Sequence, residues 1–260
     1  MKEKLYQSLI ELSNGKTSSK ILQLAVQSVV SKKLIRNYSN LYDINLEEVS
    51  KSTEQFSSLH DFFTRQLKED ARPIDQQPNI FSSPVDAKIE AFGEIVDGMT
   101  FTVKNKPYSL MDLLGNETQA KRYENGQYIV FYLSPADYHR IHSPIDGQVK
   151  RQYVLGRKSY PVNQMGLTFG KKPLSHNYRM ISEIEYNGEQ MTAFIKVGAT
   201  FVNSIELTNV TKTWQKGEEV GYFTFGSTVV MLFEENAVQF NERVVQGTMI
   251  KMGEAFATML

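Results

Sequence analysis

Met180-Ile181-Ser182-Glu183-Ile184-Glu185-Tyr186 and Gln190-Met191-Thr192-Ala193-Phe194-Ile195-Lys196-Val197 are two short apolar-rich runs on either side of Asn187-Gly188. Asn-Gly accepts the left-handed backbone that a tight hairpin turn demands, so this stretch predicts a β-hairpin and makes strands the organising element of the chain. Working outward, Tyr128 to Leu133 reads as a further strand, ended by Ser134-Pro135. The run Phe223 to Glu234 is interrupted by Gly226-Ser227-Thr228, which places those small residues inside or between strands. The same texture of short runs bounded by Gly, Pro, Asn and Asp begins at Ile80. Two related phrases stand out within it, Ser83-Pro84-Val85-Asp86-Ala87 and Ser143-Pro144-Ile145-Asp146-Gly147, both readable as turns with aspartate as turn former. Beyond them no convincing repeat and no low-complexity segment is visible.

Residues 1 to 72 read differently. Leu5, Leu9 and Leu12 share a helical face, Asn14-Gly15 offers a stop, and Thr17 to Ser19 supply caps for a second segment carrying Leu22, Val26, Val29 and Val30. Asn45 with Glu48, and Ser58 with Asp61, mark the starts of two shorter helices in capping-box spacing. The fold class expected is α+β, a helical N-terminal region (1–72) on a β-rich, barrel- or sandwich-like catalytic body (73–260).

The 260 residues carry 29 Lys+Arg against 29 Asp+Glu, 41% hydrophobic residues and no cysteine. That composition argues against wholesale disorder and excludes disulfides, thiolate metal sites and a cysteine nucleophile. The opening residues lack the apolar core and cleavage site of a secretory signal, so export is not expected. Ile21 to Val30, interrupted by Gln23, Gln27 and Ser28, is far shorter than the ~20 residues a spanning helix needs. Charge is uneven locally: residues 1–40 hold seven Lys/Arg and two Asp/Glu, 7 − 2 = +5. Residues 147–182 hold Lys150, Arg151, Arg157, Lys158, Lys171, Lys172 and Arg179 with no acid, +7. Any one run is ordinarily a solvated face, but two in a neutral chain point to an anionic surface or ligand. Nucleic acid is not an expected partner.

Chemistry has few candidates. Two of the four histidines lie together in Tyr138-His139-Arg140-Ile141-His142-Ser143-Pro144, where a proline turn lets both rings approach a common point. With no HExxH and no cysteine, general acid-base work is the better reading and no metal is expected. In Thr224-Phe225-Gly226-Ser227-Thr228-Val229-Val230, Gly226 removes a side chain that would crowd its carbonyl and Ser227 sets a hydroxyl beside that carbonyl. Taken alone it reads as a β-bulge with a polar pair.

In combination and order these blocks carry a resemblance. Phe62-Phe63-Thr64-Arg65, Ala71-Arg72-Pro73, Ser83-Pro84-Val85-Asp86, Leu133-Ser134-Pro135-Ala136-Asp137-Tyr138-His139-Arg140-Ile141-His142, Tyr160-Pro161-Val162-Asn163, Val197-Gly198-Ala199 and Phe225-Gly226-Ser227-Thr228-Val229-Val230 together resemble the phosphatidylserine decarboxylases, pyruvoyl-dependent and membrane-associated. Ala87, Tyr178 and Asn203 depart from the residues usual there. The resemblance implies a carboxy-lyase made as a zymogen and cut between Gly226 and Ser227. Ser227 would attack the Gly226 carbonyl, form an ester, and after β-elimination leave a covalent pyruvoyl group that takes the substrate amine as a Schiff base, turning phosphatidylserine into phosphatidylethanolamine. It gives Asp86, His142 and Ser227 the part of a self-cleavage triad, and His139 that of proton donor after decarboxylation. Arg157, Lys158, Lys171, Lys172 and Arg179 are the candidates to hold the lipid phosphate. The partners implied are an anionic phospholipid membrane, bound peripherally at its cytoplasmic face by the helical region 1–72, the cleaved small chain 227–260, and a second copy as a homodimer. Two alternatives compete: a pyruvoyl decarboxylase of a soluble amino acid, and a non-catalytic lipid-binding or lipoyl-like module built on the segment from Lys216 to Val230. A carrier of the latter kind would need a lysine at the hairpin tip, which Gly226-Ser227-Thr228 lacks. A serine hydrolase is disfavoured because no GxSxG elbow surrounds Ser227.

Overall fold

The structure is a computed structural model that describes residues 24–96, 98–199, 205–224 and 226–260. The expected helix face Leu5, Leu9 and Leu12, the stop at Asn14-Gly15, the caps at Thr17 to Ser19, Leu22, and also Asn203 and Phe225, lie outside the described residues.

The predicted hairpin forms as Arg179–Tyr186 and Gln190–Gly198, with Asn187 and Gly188 both at positive φ. It belongs to an eight-stranded sheet whose order is Thr213–Trp214, Gly147–Leu155, Arg179–Tyr186, Gln190–Gly198, Ser227–Phe233, Gln127–Leu133, Ala87–Glu94, Met249–Ile250. Side chains alternate across it. Val229, Met231 and Phe233 enter one core with Phe81, Phe131, Phe194, Trp214 and Phe256. Val230 and Leu232 enter a second core with Leu110, Leu113, Tyr123, Leu167 and Leu174. Two three-stranded sheets cover the first face: Ile80–Ser82 with Ala255–Met259 and Val238–Phe240, and Arg140–His142 with Glu219–Phe223 and Ile205–Leu207. Short helices, Leu110–Leu114, Glu117–Arg122, Gln164–Phe169 and Pro173–His176, cover the second. Among the described residues the end strands of the large sheet pair with nothing further, so the α+β body is a sandwich and not a barrel.

The sheet order is palindromic, because the body is two copies of one unit. Strands 80–82, 87–94, 127–133, 227–233, 238–240, 249–250 and 255–259 correspond in order to 140–142, 147–155, 179–186, 190–198, 205–207, 213–214 and 219–223. The registers match rung by rung: Ile250 faces Ala87 as Trp214 faces Gly147, and Ser82 faces Ala255 as His142 faces Glu219. Even the irregularities recur, between Ile89 and Ala91 in one copy and between Val149 and Arg151 in the other. The two Ser-Pro-x-Asp phrases are equivalent turns with equivalent bonds. Ser83 Oγ donates to Val85 O (2.7 Å) and Ser143 Oγ to Ile145 O (2.8 Å). Asp86 accepts from Met252 N (2.8 Å) and Asp146 from Lys216 N (2.7 Å). The turns also lock into each other, Ser82 N donating to Pro144 O and His142 N to Pro84 O. The sequence reading that found no convincing repeat is therefore corrected; the phrases are its visible trace. One copy is continuous, 140–223, and is inserted into the other: where Asn187-Gly188-Glu189 closes Tyr186 onto Gln190, the equivalent rung Leu133–Ser227 opens to admit the whole second copy.

The N-terminal region is helical in short pieces, Val29–Leu34, Ile35–Leu41, Leu46–Glu48, Thr53–Gln55 and Leu59–Phe63. Ser58 caps its helix as expected, accepting from Asp61 N, whereas Asn45 starts only a single 3-10 turn. The full capping box is at Ser52 and Gln55. Val29 and Val30 are 76% and 72% exposed, so that apolar stripe does not face the core. The small core here is Ile35, Val49, Phe56, Leu59 and Phe62.

Candidate active site

Ser227 begins the central strand, and its neighbours on either side are the ends of strands 127–133 and 190–198, Leu133 and Gly198. It is fully buried, as is His139, which sits in the connector that leads from Leu133 into the inserted copy. Their separation of 88 positions closes because the connectors leaving and re-entering the host copy start from one rung. His139 Nδ1 lies 3.5 Å from Ser227 Oγ. Its Nε2 lies 3.0 Å from Ser134 O, an acceptor only, so Nε2 carries the proton and the Nδ1 lone pair faces the serine hydroxyl. Burial, reinforced by the Arg65 cation, pushes the His139 pKa down to about 3, so the ring is neutral at physiological pH. Phe63 stacks on it at 4.0 Å between ring centres and 23°.

A cavity of about 200 Å³ opens at this point, lined by Phe63, Tyr132, Pro135, Val162, Asn163 and Ser227 among others. A larger cleft of about 680 Å³ lies at the Asn187-Gly188 turn of the other copy, away from Ser227. Among the described residues outside its chain neighbours, a Cβ at Gly226 would meet only Ala199 Cβ, at 3.9 Å.

The two histidines do not converge. His142 Nδ1 donates to Gly217 O (2.8 Å), and its Nε2 accepts from the Tyr138 hydroxyl (3.1 Å). Burial lowers its pKa. Asp86 is gripped by Arg72, Nε at 2.8 and 3.0 Å from the two oxygens and Nη2 at 2.5 Å. Among the described residues no hydrogen bond joins Asp86 to His142 or His142 to Ser227, so the line of three that the resemblance implies is not assembled in this arrangement. Nearby Asp137, whose Oδ2 accepts from Ser134 N (2.6 Å), is pushed up to about 6 by burial.

The cationic candidates divide. Arg179 is 3% exposed and donates to three backbone carbonyls: Leu113 O from Nε, Asn177 O from Nη1 and Asp112 O from Nη2. It caps the carbonyl end of helix 110–114, and burial lowers its pKa to about 10; as a lipid-phosphate ligand it is corrected to a structural residue. Arg157, Lys158 and Lys171 are exposed and Lys172 half-exposed. The first two lie a few positions before the cavity-lining Pro161, Val162 and Asn163. Asn177 holds that segment against the Ser227 partner, donating to Tyr160 O and Gly198 O and accepting from Tyr160 N, all at 2.8 Å.

The N-terminal region is stitched to the site more closely than the sequence reading allowed. Tyr38 Oη donates to Pro135 O, Arg65 Nη2 to Ala136 O and Asp137 O, and Arg140 Nε to Thr64 O. Phe63, Arg65, Arg72, Ser134 and Tyr138 were thus missed as site residues, although all five stand in the sequence blocks quoted above. No group of three or more metal-ligating side chains is present among the described residues.

A sequence model of the phosphatidylserine decarboxylase family matches residues 59–258. The chain belongs to the phosphatidylserine decarboxylase family. Relatives named phosphatidylserine decarboxylase proenzyme are 49% identical over 260 residues in Bacillus thuringiensis (strain Al Hakam), covering 100% of this chain and 99% of the relative. One in Geobacillus sp. (strain WCH70) is 50% identical over 250 residues, 96% of each chain. One in Bacillus mycoides (strain KBAB4) is 49% identical over 258 residues, 99% of this chain and 98% of the relative. The decarboxylase match starts at Leu59, so helix 59–63 and its ring on His139 fall inside the shared unit while most of the exposed apolar N-terminal stripe falls outside it.

Proposed function

We propose that this chain is a phosphatidylserine decarboxylase proenzyme that cuts itself between Gly226 and Ser227, its reactive centre being built from Ser227. The observation that carries the reading is the buried contact between Ser227 Oγ and the unprotonated Nδ1 of His139 at a cavity next to Gly226. A pyruvoyl group fits the residues present: residue 227 starts a fixed strand and is buried beside a cavity, and among the described residues outside its chain neighbours a Cβ at 226 would meet only Ala199 Cβ. Once formed, its carbonyl supplies the electron sink that no ordinary side chain offers. The chain's own residues do the rest. His139, held by Ser134 O and Phe63, moves the proton at position 227; a placed base of this kind contributes ~10² to 10⁴ in rate. Asp86 and His142 serve the cut, as the resemblance implies, and Arg157, Lys158, Lys171 and Lys172 draw the lipid phosphate toward the cavity.

The 3.5 Å contact favours a second assignment within this function, in which His139 is also the base for the cut. A denaturing gel and a decarboxylation assay decide. Ser227→Ala should stay a single chain without activity. His139→Ala protein that stays whole gives the cut to His139; protein that is cut but inactive gives it turnover alone. An active wild-type enzyme of intact 260-residue mass would overturn the whole reading.

Attachment to the membrane is proposed as peripheral, at the anionic cytoplasmic leaflet. No helix among the described residues is long and apolar enough to cross a bilayer. Val29, Val30, Leu34 and Leu41 are exposed beside Lys32, Lys33 and Arg36, a combination suited to shallow insertion with electrostatic support.

A further inference from the structure

The duplication provides an internal comparison for the site. Asp86 and Asp146 occupy the same place in equivalent turns and make the same bond to an equivalent backbone N–H, from Met252 and Lys216. Glu254 and Glu218 likewise accept from Lys251 N and Gln215 N (2.9 Å each). The turn therefore forms without a guanidinium; Asp146 is exposed to water, whereas Asp86 is buried at 7% exposure. Only the copy that carries the site adds one. Arg72, its side chain 8% exposed, spans Asp86 with Nε and Nη2, reaches Glu48 with Nη2 (2.8 Å), and donates from Nη1 to Ala71 O (2.6 Å).

Such an addition is costly, since buried ion pairs rarely stabilise more than well-packed apolar residues would. It does supply orientation. A planar fork on both carboxylate oxygens fixes the rotation of the group, which one backbone N–H does not. The turn that carries Asp86 is tied to the histidine segment, His142 N donating to Pro84 O (2.9 Å), and Asp86 favours the charged form of His142. We infer that Arg72 is a positioning residue for self-cleavage, fixing the Asp86 carboxylate toward the histidine segment, and that Glu48 secures it from the N-terminal region. The inference rests on the assignment of Asp86 to the cut proposed above.

The test is the rate at which full-length chains, freshly synthesised in a cell-free system, become two bands on a gel, alongside the melting temperature. Arg72→Ala should cut about 10²-fold more slowly, the order of loss expected when a reacting group is misplaced by about 1 Å. Low millimolar guanidinium, far too dilute to denature, should restore much of the rate. Asp146→Asn should melt lower yet cut as fast as wild type. Wild-type cutting by Arg72→Ala, or slow cutting that neither guanidinium nor Arg72→Lys improves, overturns the positioning role. Should Arg72→Ala not fold, Arg72→Lys carries the test: slowed cutting at an unchanged melting temperature supports the inference, and wild-type cutting overturns it. Asp86→Asn separates the two readings. If it cuts normally, the assignment of Asp86 itself falls; if it stays whole while Arg72→Ala cuts normally, only the inference about Arg72 falls.

Discussion

Lys196 shows how far the interior departs from an apolar core. It is fully buried, its Nζ bonded to Ser182 Oγ (2.6 Å) and set over the rings of Phe194 and Trp214, with no carboxylate in a salt bridge to it among the described residues. Burial brings its pKa down to about 7. An unfolded lysine keeps its proton to about pH 10.4, so between pH 7 and 10 the unfolded chain binds more protons and this residue makes stability rise with pH. Below pH 7 both states are protonated and the penalty is constant. Lys196→Met should be more stable at pH 7 by about 1 to 4 kcal/mol, the range seen when buried charge gives way to packed apolar side chains. The advantage over wild type should shrink by pH 9.5, read from urea midpoints at the two pH values. At this same scale the sequence was legible in type but not in direction. The His139-His142 pair and Ser227 stand out as letters, yet which ring meets the hydroxyl depends on connectors joined only in the fold. Charge counting grouped Arg179 with surface cations because three backbone carbonyls leave no mark in a sequence.

Among elements, the Asn187-Gly188 hairpin was readable because its turn chemistry is local, and the all-buried strand 227–233 because a strand covered on both faces runs apolar without alternation, here from Val229 to Phe233. Helix 59–63 lies in the N-terminal region expected to meet the membrane, but it faces inward: Phe63 covers His139 and Thr64 O receives Arg140. This changes what truncation should do. Removing residues 1–23 leaves every one of these contacts, so self-cleavage should continue. Removing residues 1–72 strips Phe63, Arg65 and Arg72 from the site, so the chain should stay uncut on a gel. Within the retained region, Val29→Glu with Val30→Glu should weaken co-sedimentation with anionic vesicles while leaving the cut intact. Binding by the wild type should fall with salt, which screens exposed charge over a Debye length of ~10 Å at 0.1 M. Unchanged sedimentation in the double variant would place the membrane contact elsewhere.

For the whole molecule, the duplication escaped the sequence reading because only the turns recur as letters; the paired strands share register but few residues, strand 87–94 being buried over much of its length and its counterpart 147–155 not, and one copy interrupts the other. Its arrangement nevertheless decides what the cut does. The chain 227–260 holds the central strand, paired along its length to 127–133 on one side and 190–198 on the other, and three further strands that pair with 87–94, with 80–82 and with each other. Severing position 226 from 227 breaks a covalent link while leaving every one of those ladders in place. The two products should run as one species in sedimentation at any dilution, separating no faster than the sheet itself comes apart. Refolding is where they should differ from the uncut chain. After urea, Ser227→Ala should refold at a rate independent of protein concentration, and the processed enzyme at a rate that climbs with it, because its two pieces must first meet. The enzyme would then be a molecule with a memory: assembled once as a single thread, it keeps a shape that its separated parts regain only by collision.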